Sequence, residues 1–580
     1  MTEGVVYAPR MEYSSRERIR CPLFVLASLL LFGCEASTPP ADLILQGGPV
    51  YTMDAARSWA RAVVIQDGKI VYAGSESEAG NWIGPDTRVI DLAGKMVLPS
   101  FQDAHIHPIP GGVQRTSFLD LMELDTREAY LEAIATYAKE NPEKAWIQGG
   151  GWTMDVFPQG IPDGRDLDAI VPDRPVYLTS AEGHSAWVNS KALEIAGIDA
   201  QTPDPVDGRI DRDPTTGEAI GALQEGAIDL IQPPPPTPEQ AEAGLLNAIG
   251  YLNSLGITAF QDAQVLGRKD LETYRTLDRK GLLTARVVGA LWWERSEGVA
   301  QIPQLVALRQ EFSEGRIHPR SVKIMQDGVM ENHTAVLVSP YHGKGDETGI
   351  PMIPPEDLKR YVAELDAKGF QVHFHAIGDG AVRQSLDAVE YAQGVNGLRD
   401  ARHHISHLEL IHPEDLPRFR ELSVVANFQP LWAINDDYVT VLTLPFIGEE
   451  RGQWLYPINS LQKSGATLAF GSDWNVTTPN VFAQIEVATT RMDSDGLTDE
   501  PLLPGEAIDL PTALAAFTMG SAYVNGLEKE TGSIEVGKSA DLVVIDRNLF
   551  EIAPEQISET QVLLTLLEGE AVYGDLLSKP

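Results

Sequence analysis

A chain of 580 residues is longer than one hydrophobic core can organise, so more than one domain is expected. With 43% hydrophobic and 22% charged residues it reads as globular rather than disordered. A formal charge of -38, spread along the chain, excludes the basic patch that a nucleic-acid backbone requires; it speaks to solubility and not to substrate.

The N-terminus stands apart. Arg16, Arg18 and Arg20 precede an apolar run from Pro22 to Phe32, then Gly33, Cys34 and Glu35. A basic region, a short apolar stretch and a small residue make a secretory signal, and the run is too short to favour a membrane span. Leu31–Cys34 also resembles the bacterial lipobox, in which the cysteine is acylated, although Phe32 is uncommon there. Residues 1–34 are therefore read as a signal peptide with Cys34 as its lipidation site, and Met11 is an alternative start. The protein is then expected to be exported, held by a lipid anchor at the periplasmic face of a bacterial membrane or soluble in the periplasm. Cys21 and Cys34 are the only cysteines, so a metal in the mature body falls to histidine, carboxylate or modified lysine.

After the linker Ser37–Pro40, short β-type runs follow at 41–45, 62–65, 69–73 and 87–91, and matching runs return at 540–546 and 561–565. They predict a small β-sandwich built from both chain ends, 41–97 and 528–580. Between them, over 98–527, eight buried-looking strands are expected. They are Met96–His107, Ile257–Ala263, Thr284–Trp293, Ser321–Gly328, Phe370–Gly378, Ala401–Leu410, Val424–Pro430 and Thr467–Trp474. Amphipathic runs such as Pro355–Lys368 and Gly380–Gln393 sit between them, which predicts an α/β fold of the TIM-type (β/α)₈ class. The first two strands are separated by about 150 residues, far more than a βα loop uses. An inserted subdomain over about 110–235 accounts for the gap, and the helix from Glu239 to Leu255 then stops at Gly256.

The residues at the strand ends carry the chemistry. The first strand ends in His105-Ile106-His107; the fourth holds Lys323, the fifth His375, the sixth His407 and the eighth Asp473. A barrel brings the C-terminal ends of its strands to one face, and alternation points His105 and His107 the same way. Each residue alone has an ordinary structural explanation. Five ligand-type positions at five correct strand ends, in a chain with only 12 histidines, do not share one. Imidazole and carboxylate suit zinc and similar ions.

The motifs Met96–His107, His373–Asp379, Phe470–Trp474 and Gly532–Leu542 resemble those of the amidohydrolase superfamily. Ala181–Ser190 and Val322–Gly328 are similar to its YtcJ-like branch, amidohydrolase family 3, which includes N-substituted formamide deformylases. The resemblance covers about 41–580. It implies a divalent metal, zinc by preference, as one or two ions held by His105, His107, His375 and His407 with Asp473 beside them. It aligns Lys323 with a lysine that is carbamylated and bridges two ions in many relatives. Ser406 departs from the pattern, standing where relatives often carry an acid.

The implied activity is hydrolysis of an amide-type, non-peptide carbon–nitrogen bond by metal-activated hydroxide, with Asp473 as the catalytic acid and base. His184 and His333 are candidate substrate or oxyanion contacts. Trp292, Trp293, Trp432 and Trp474 follow barrel strands, which points to a small-molecule substrate with an apolar or aromatic group; Trp293 and Trp432 are the named candidates. An ester or lactone hydrolase, or a metal-assisted isomerase, would use the same scaffold. A non-catalytic, ligand-binding surface lipoprotein fits less well, because the ligand set is complete. Oligomeric state is not legible.

Overall fold

The computed structural model of the protein describes residues 39–496 and 498–575. The expected leader, with Cys34, lies outside the described residues. Eight strands, Phe101–Ile106, Ile257–Val265, Arg286–Trp292, Ile317–Met325, Gln371–Ala376, His404–His407, Val425–Phe428 and Leu468–Phe470, pair side by side in that order, every pair parallel. The sheet is nearly closed. Beyond the strands, the Asp473 amide donates to the His105 carbonyl at 2.8 Å and the His107 amide to the Trp474 carbonyl at 2.6 Å, which ties the eighth strand to the first.

Helices follow the strands and pack outside them, with apolar faces in one core that also holds Phe260, Phe374 and Phe428 from the sheet. The helix Pro238–Ser254 shows why the boundaries fall where they do. Thr237 and Gln240 form a reciprocal capping box, with proline in the first turn. Gly256 then turns the chain into the second barrel strand at φ +81, where a Cβ would meet Phe101 and Val543.

One expected strand is two. Met96–Pro99 pairs antiparallel with Leu542–Ile545, whereas Phe101–Ile106 belongs to the barrel, and the chain changes sheets at Ser100. Residues 96–106 are buried throughout, so nothing in their hydrophobicity marks the change of partner. The strands from the two chain ends share one core, in which Leu45 and Val63 join Leu542 and Leu564. They hydrogen-bond into one eight-stranded sheet that runs from Glu570–Tyr573 to Lys69–Gly74. A bulge between Gln46 and Val50 lets Leu43–Tyr51 pair first with Arg88–Asp91 and then with Met96–Pro99. This sheet seals the N-terminal end of the barrel through buried Arg286, which binds Asp541, Ser539 and Glu568.

The insertion carries its own six-stranded sheet, from Leu119–Asp120 to Ala219–Glu225. Its apolar face does not stand alone. Leu121, Trp152 and Leu178 share one core with Val329 and Tyr341 from the loop after the fourth barrel strand, and with Ala433, Val439 and Tyr456 from the excursion after the seventh. Three insertions thus form one roof over the C-terminal mouth of the barrel. No helix among the described residues is long and apolar enough to cross a membrane.

Candidate metal centre

Under that roof lies a cavity of about 1140 Å³, lined at its floor by His105, His107, Lys323, His375, His407 and Asp473. The barrel therefore brings together all six residues named from the strand ends. Asp473 Oδ1 is 3.0 Å from His107 Nε2 and 3.3 Å from His105 Nε2, and Asp473 Oδ2 is 3.7 Å from His407 Nδ1. Donor atoms that share one ion at about 2.0–2.2 Å in a tetrahedron stand about 3.3–3.6 Å apart. His105, His407 and Asp473 place their ligand atoms within 4.8 Å of one another. His375 approaches from the side, its ring 4.4 Å from that of His407. Lys323 Nζ is 3.4 Å from His105 Nε2.

The polar atoms here lack the partners that buried groups ordinarily find. Both ring nitrogens of His407 are buried without a hydrogen bond. Backbone strain accompanies them, with φ +81 at His407 and +54 at Asp473. Burial, and then the charge of Lys323, pushes His105 down to about 3, and burial drives His375 and His407 well below the usual imidazole range. Burial opposes ionisation of Asp473, but His105 and His107 outweigh it and hold the carboxyl well below its usual range. Neutral imidazoles and an aspartate anion are the forms that offer lone pairs to a cation. The donor set fits a divalent metal.

A further histidine orients the first. His373 Nε2 lies 2.8 Å from His105 Nδ1 and 2.8 Å from Ser406 Oγ. The serine that departs from the family pattern thus belongs to a chain of contacts that fixes the imidazole from behind.

Of the expected substrate contacts, His184 and Trp432 line the cavity. His184 Nδ1 is 2.8 Å from Glu225 Oε2, and its ring is 5.0 Å from that of His375. Trp432 stacks on His407 with 4° between the ring planes. His333 and Trp293 do not reach the cavity, which corrects the expectation. His333 is wedged between the rings of Tyr341 and Phe446, because the loop after the fourth strand folds back under the roof. Trp293 is 1% exposed and packs on Tyr361 in the barrel's outer core; Trp292, on the opposite side of the strand, lines the cavity instead. Trp474 packs against Tyr251, away from it. Residues not foreseen include Glu182, Glu225, Glu409, Asp436 and Tyr438, all on the cavity wall. Of these, Glu182 alone had a signal in the sequence, since it falls within the Ala181–Ser190 motif.

The chain has relatives along most of its length. Over 561 residues and 93% of each chain, the protein is 30% identical to the protein LONG AFTER FAR-RED 3 of Arabidopsis thaliana. It is 27% identical to the N-substituted formamide deformylase of Arthrobacter pascens, across 92% of this chain and 99% of that one. A solved metal-dependent hydrolase of Pyrococcus horikoshii superposes with a TM-score of 0.69 at 25% identity, covering 88% of this chain and 99% of its own. The amidohydrolase family model matches residues 88–573, a span that holds every donor at the cavity floor, and the protein belongs to that family: it is a metal-dependent hydrolase acting on carbon–nitrogen bonds.

Proposed function

We propose that the protein hydrolyses an amide-type, non-peptide bond in a small molecule whose apolar or aromatic part lies against Trp292 and Trp432. The observation that carries this reading is the convergence of buried imidazoles and a carboxylate from separate strand ends at the floor of one cavity, where both ring nitrogens of His407 lack a hydrogen-bond partner. His105, His107, His375 and His407, with Asp473, would hold the metal, and zinc suits that donor set. Once bound, the cation supplies a Lewis acid and a water acidic enough to ionise near neutral pH.

The remaining roles fall to the chain itself. Asp473, held as an anion, takes the proton of the attacking water at a carboxylate oxygen and passes it to the departing nitrogen. At His184, burial opposes the charged form, but Glu225 outweighs it and raises the imidazole above its usual value. With Nδ1 taken by Glu225, Nε2 is the atom left to donate to the oxygen that gains charge in the transition state. An ammonium at Lys323 would repel a cation. Burial lowers this amine to about 7, and the neutral amine is the form that adds carbon dioxide, losing a proton, to give a carbamate able to bridge two ions.

Elemental analysis of the purified protein and a screen of matched amides and esters test the reading, with Asp473→Asn as the control. Bound divalent metal and amide turnover that collapses in the variant are expected. Two metal equivalents would favour the carbamate at Lys323. Turnover that survives in Asp473→Asn would refute the acid–base role.

A further inference from the structure

The wall of the cavity differs in kind from its floor. Glu182 comes from the insertion, Glu331 from the loop after the fourth barrel strand, Glu409 from just beyond the sixth, and Asp436 from the excursion after the seventh. Four separate stretches of chain thus deliver carboxylates to one surface. Glu331 and Glu409 are 9% and 3% exposed, a depth at which carboxylates are ordinarily paired. No lysine or arginine forms an ion pair with any of the four among the described residues. Tyr438 donates to Glu182, the Val439 amide donates to Asp436 at 3.1 Å, and His184 is the cationic group whose charge reaches Glu182 and Glu331.

A second observation points to a ligand. Glu409 Oε1 is fully buried, belongs to a residue on the cavity wall, and has no hydrogen-bond partner. A lone buried carboxylate oxygen leaves room for a donor from outside the chain. Among the described residues only His105, His407 and Asp473 bring three ligand atoms within 4.8 Å of one another, so the wall's oxygens are spread too widely for one small cation. They suit a larger, organic one. Trp432, Tyr438 and Tyr456 line the same cavity, and aromatic rings attract organic cations.

We infer that this wall is a subsite for an organic cation, a protonated amine, amidine or guanidine carried by the substrate beyond its scissile amide. The inference rests on the hydrolytic reading of the same cavity and narrows its substrate class: the apolar or aromatic part becomes a spacer between the bond cut and a basic group. The mutual repulsion of the wall agrees with it. Burial, and then Glu182 and Asp436, pushes Glu331 up to about 8. A cation seated among them relieves that repulsion.

The test is calorimetric titration of the full, metal-loaded protein with benzylammonium and, separately, benzyl alcohol, which has similar shape and no charge. Benzylammonium is expected to bind at least about tenfold more tightly, and Glu331→Gln and Asp436→Asn are each expected to remove most of that advantage. Equal affinity for the two probes, or an advantage that survives both variants, overturns the subsite. Each variant replaces an acid of the crowded wall by its neutral amide isostere and is expected to fold, which circular dichroism checks; if one does not fold, the other decides. Turnover of N-formyl-4-(aminomethyl)benzylamine and of its 4-ethyl analogue separates the two readings. Cleavage of both without preference for the amine sinks the subsite alone. Tight binding of benzylammonium with no amide cleaved at all sinks the hydrolytic reading and leaves the subsite standing.

Discussion

Arg286 and Lys323 are buried basic residues on neighbouring barrel strands, 5% and 2% exposed, yet they live at opposite ends of the sheet and in opposite circumstances. Arg286, at the N-terminal end, bonds Asp541, Ser539 at 3.0 Å and Glu568 at 2.9 Å, and Arg316 binds the same glutamate at 2.7 Å. Lys323, at the C-terminal end, has His105 Nε2 at 3.4 Å as its near partner. A guanidinium never sheds its charge, so it belongs where carboxylates answer it. An amine can lose its proton or be modified, so it tolerates a place where another cation arrives. The end of the barrel that is saturated holds the fold together; the end that is not holds the chemistry.

Asp473→Asn tests that division most severely. It is expected to lower kcat by about 10²–10⁴-fold, the usual weight of a general acid–base group, while the melting temperature changes little. Steady-state kinetics with metal content measured on the same sample would show it, and turnover within tenfold of the parent breaks the comparison. Asp541→Ala makes the reciprocal case. It leaves Arg286 buried with half its pairing, which is expected to lower stability by about 3–5 kcal/mol, read from the urea midpoint, with kcat per folded molecule unchanged. Trp432→Ala sharpens the upper end. Loss of the ring stacked on His407 is expected to raise KM for an aromatic amide by about tenfold, roughly 1–2 kcal/mol, with a smaller effect on an aliphatic one. An equal rise for both substrates would mean that the indole supports His407 and does not meet substrate.

The floor of the site was legible in the sequence because a parallel barrel leaves little choice. Its strands are buried runs, their ends meet at one face, and His105, His375, His407 and Asp473 sit at such ends. Trp293 was misplaced because a strand alternates, and a one-residue uncertainty at its end exchanges cavity for core. His333 was misplaced because its loop has no period to read; the roof core into which it folds is shared with segments more than a hundred residues distant. The carboxylate wall escaped for the same reason. Glu182 falls within the Ala181–Ser190 motif, but Asp436 is an ordinary acid in an acidic chain until the insertions are packed together, and no local spacing relates the two.

Asp366 extends the comparison to protons with the smallest expected effect. It lies beside the start of the sixth barrel strand, at the saturated end. His403 takes the Val372 amide on Nδ1 and presents Nε2 to Asp366 Oδ1 at 3.2 Å, while Asn396 and Arg399 also donate to the carboxylate. Burial by itself would raise this acid, but those hydrogen bonds and the Arg399 guanidinium outweigh it and hold the carboxyl down to about 2. A carboxylate more acidic folded than unfolded adds stability above its unfolded pKa, near 4, and that stability is lost as pH falls through the folded value. With Arg399 partly exposed, the contribution is of order 1 kcal/mol. Asp366→Asn is therefore expected to melt lower than the parent at pH 6, and the gap is expected to close between pH 4 and pH 2. A gap that persists undiminished at pH 2 would mean that packing, not charge, is what this aspartate supplies.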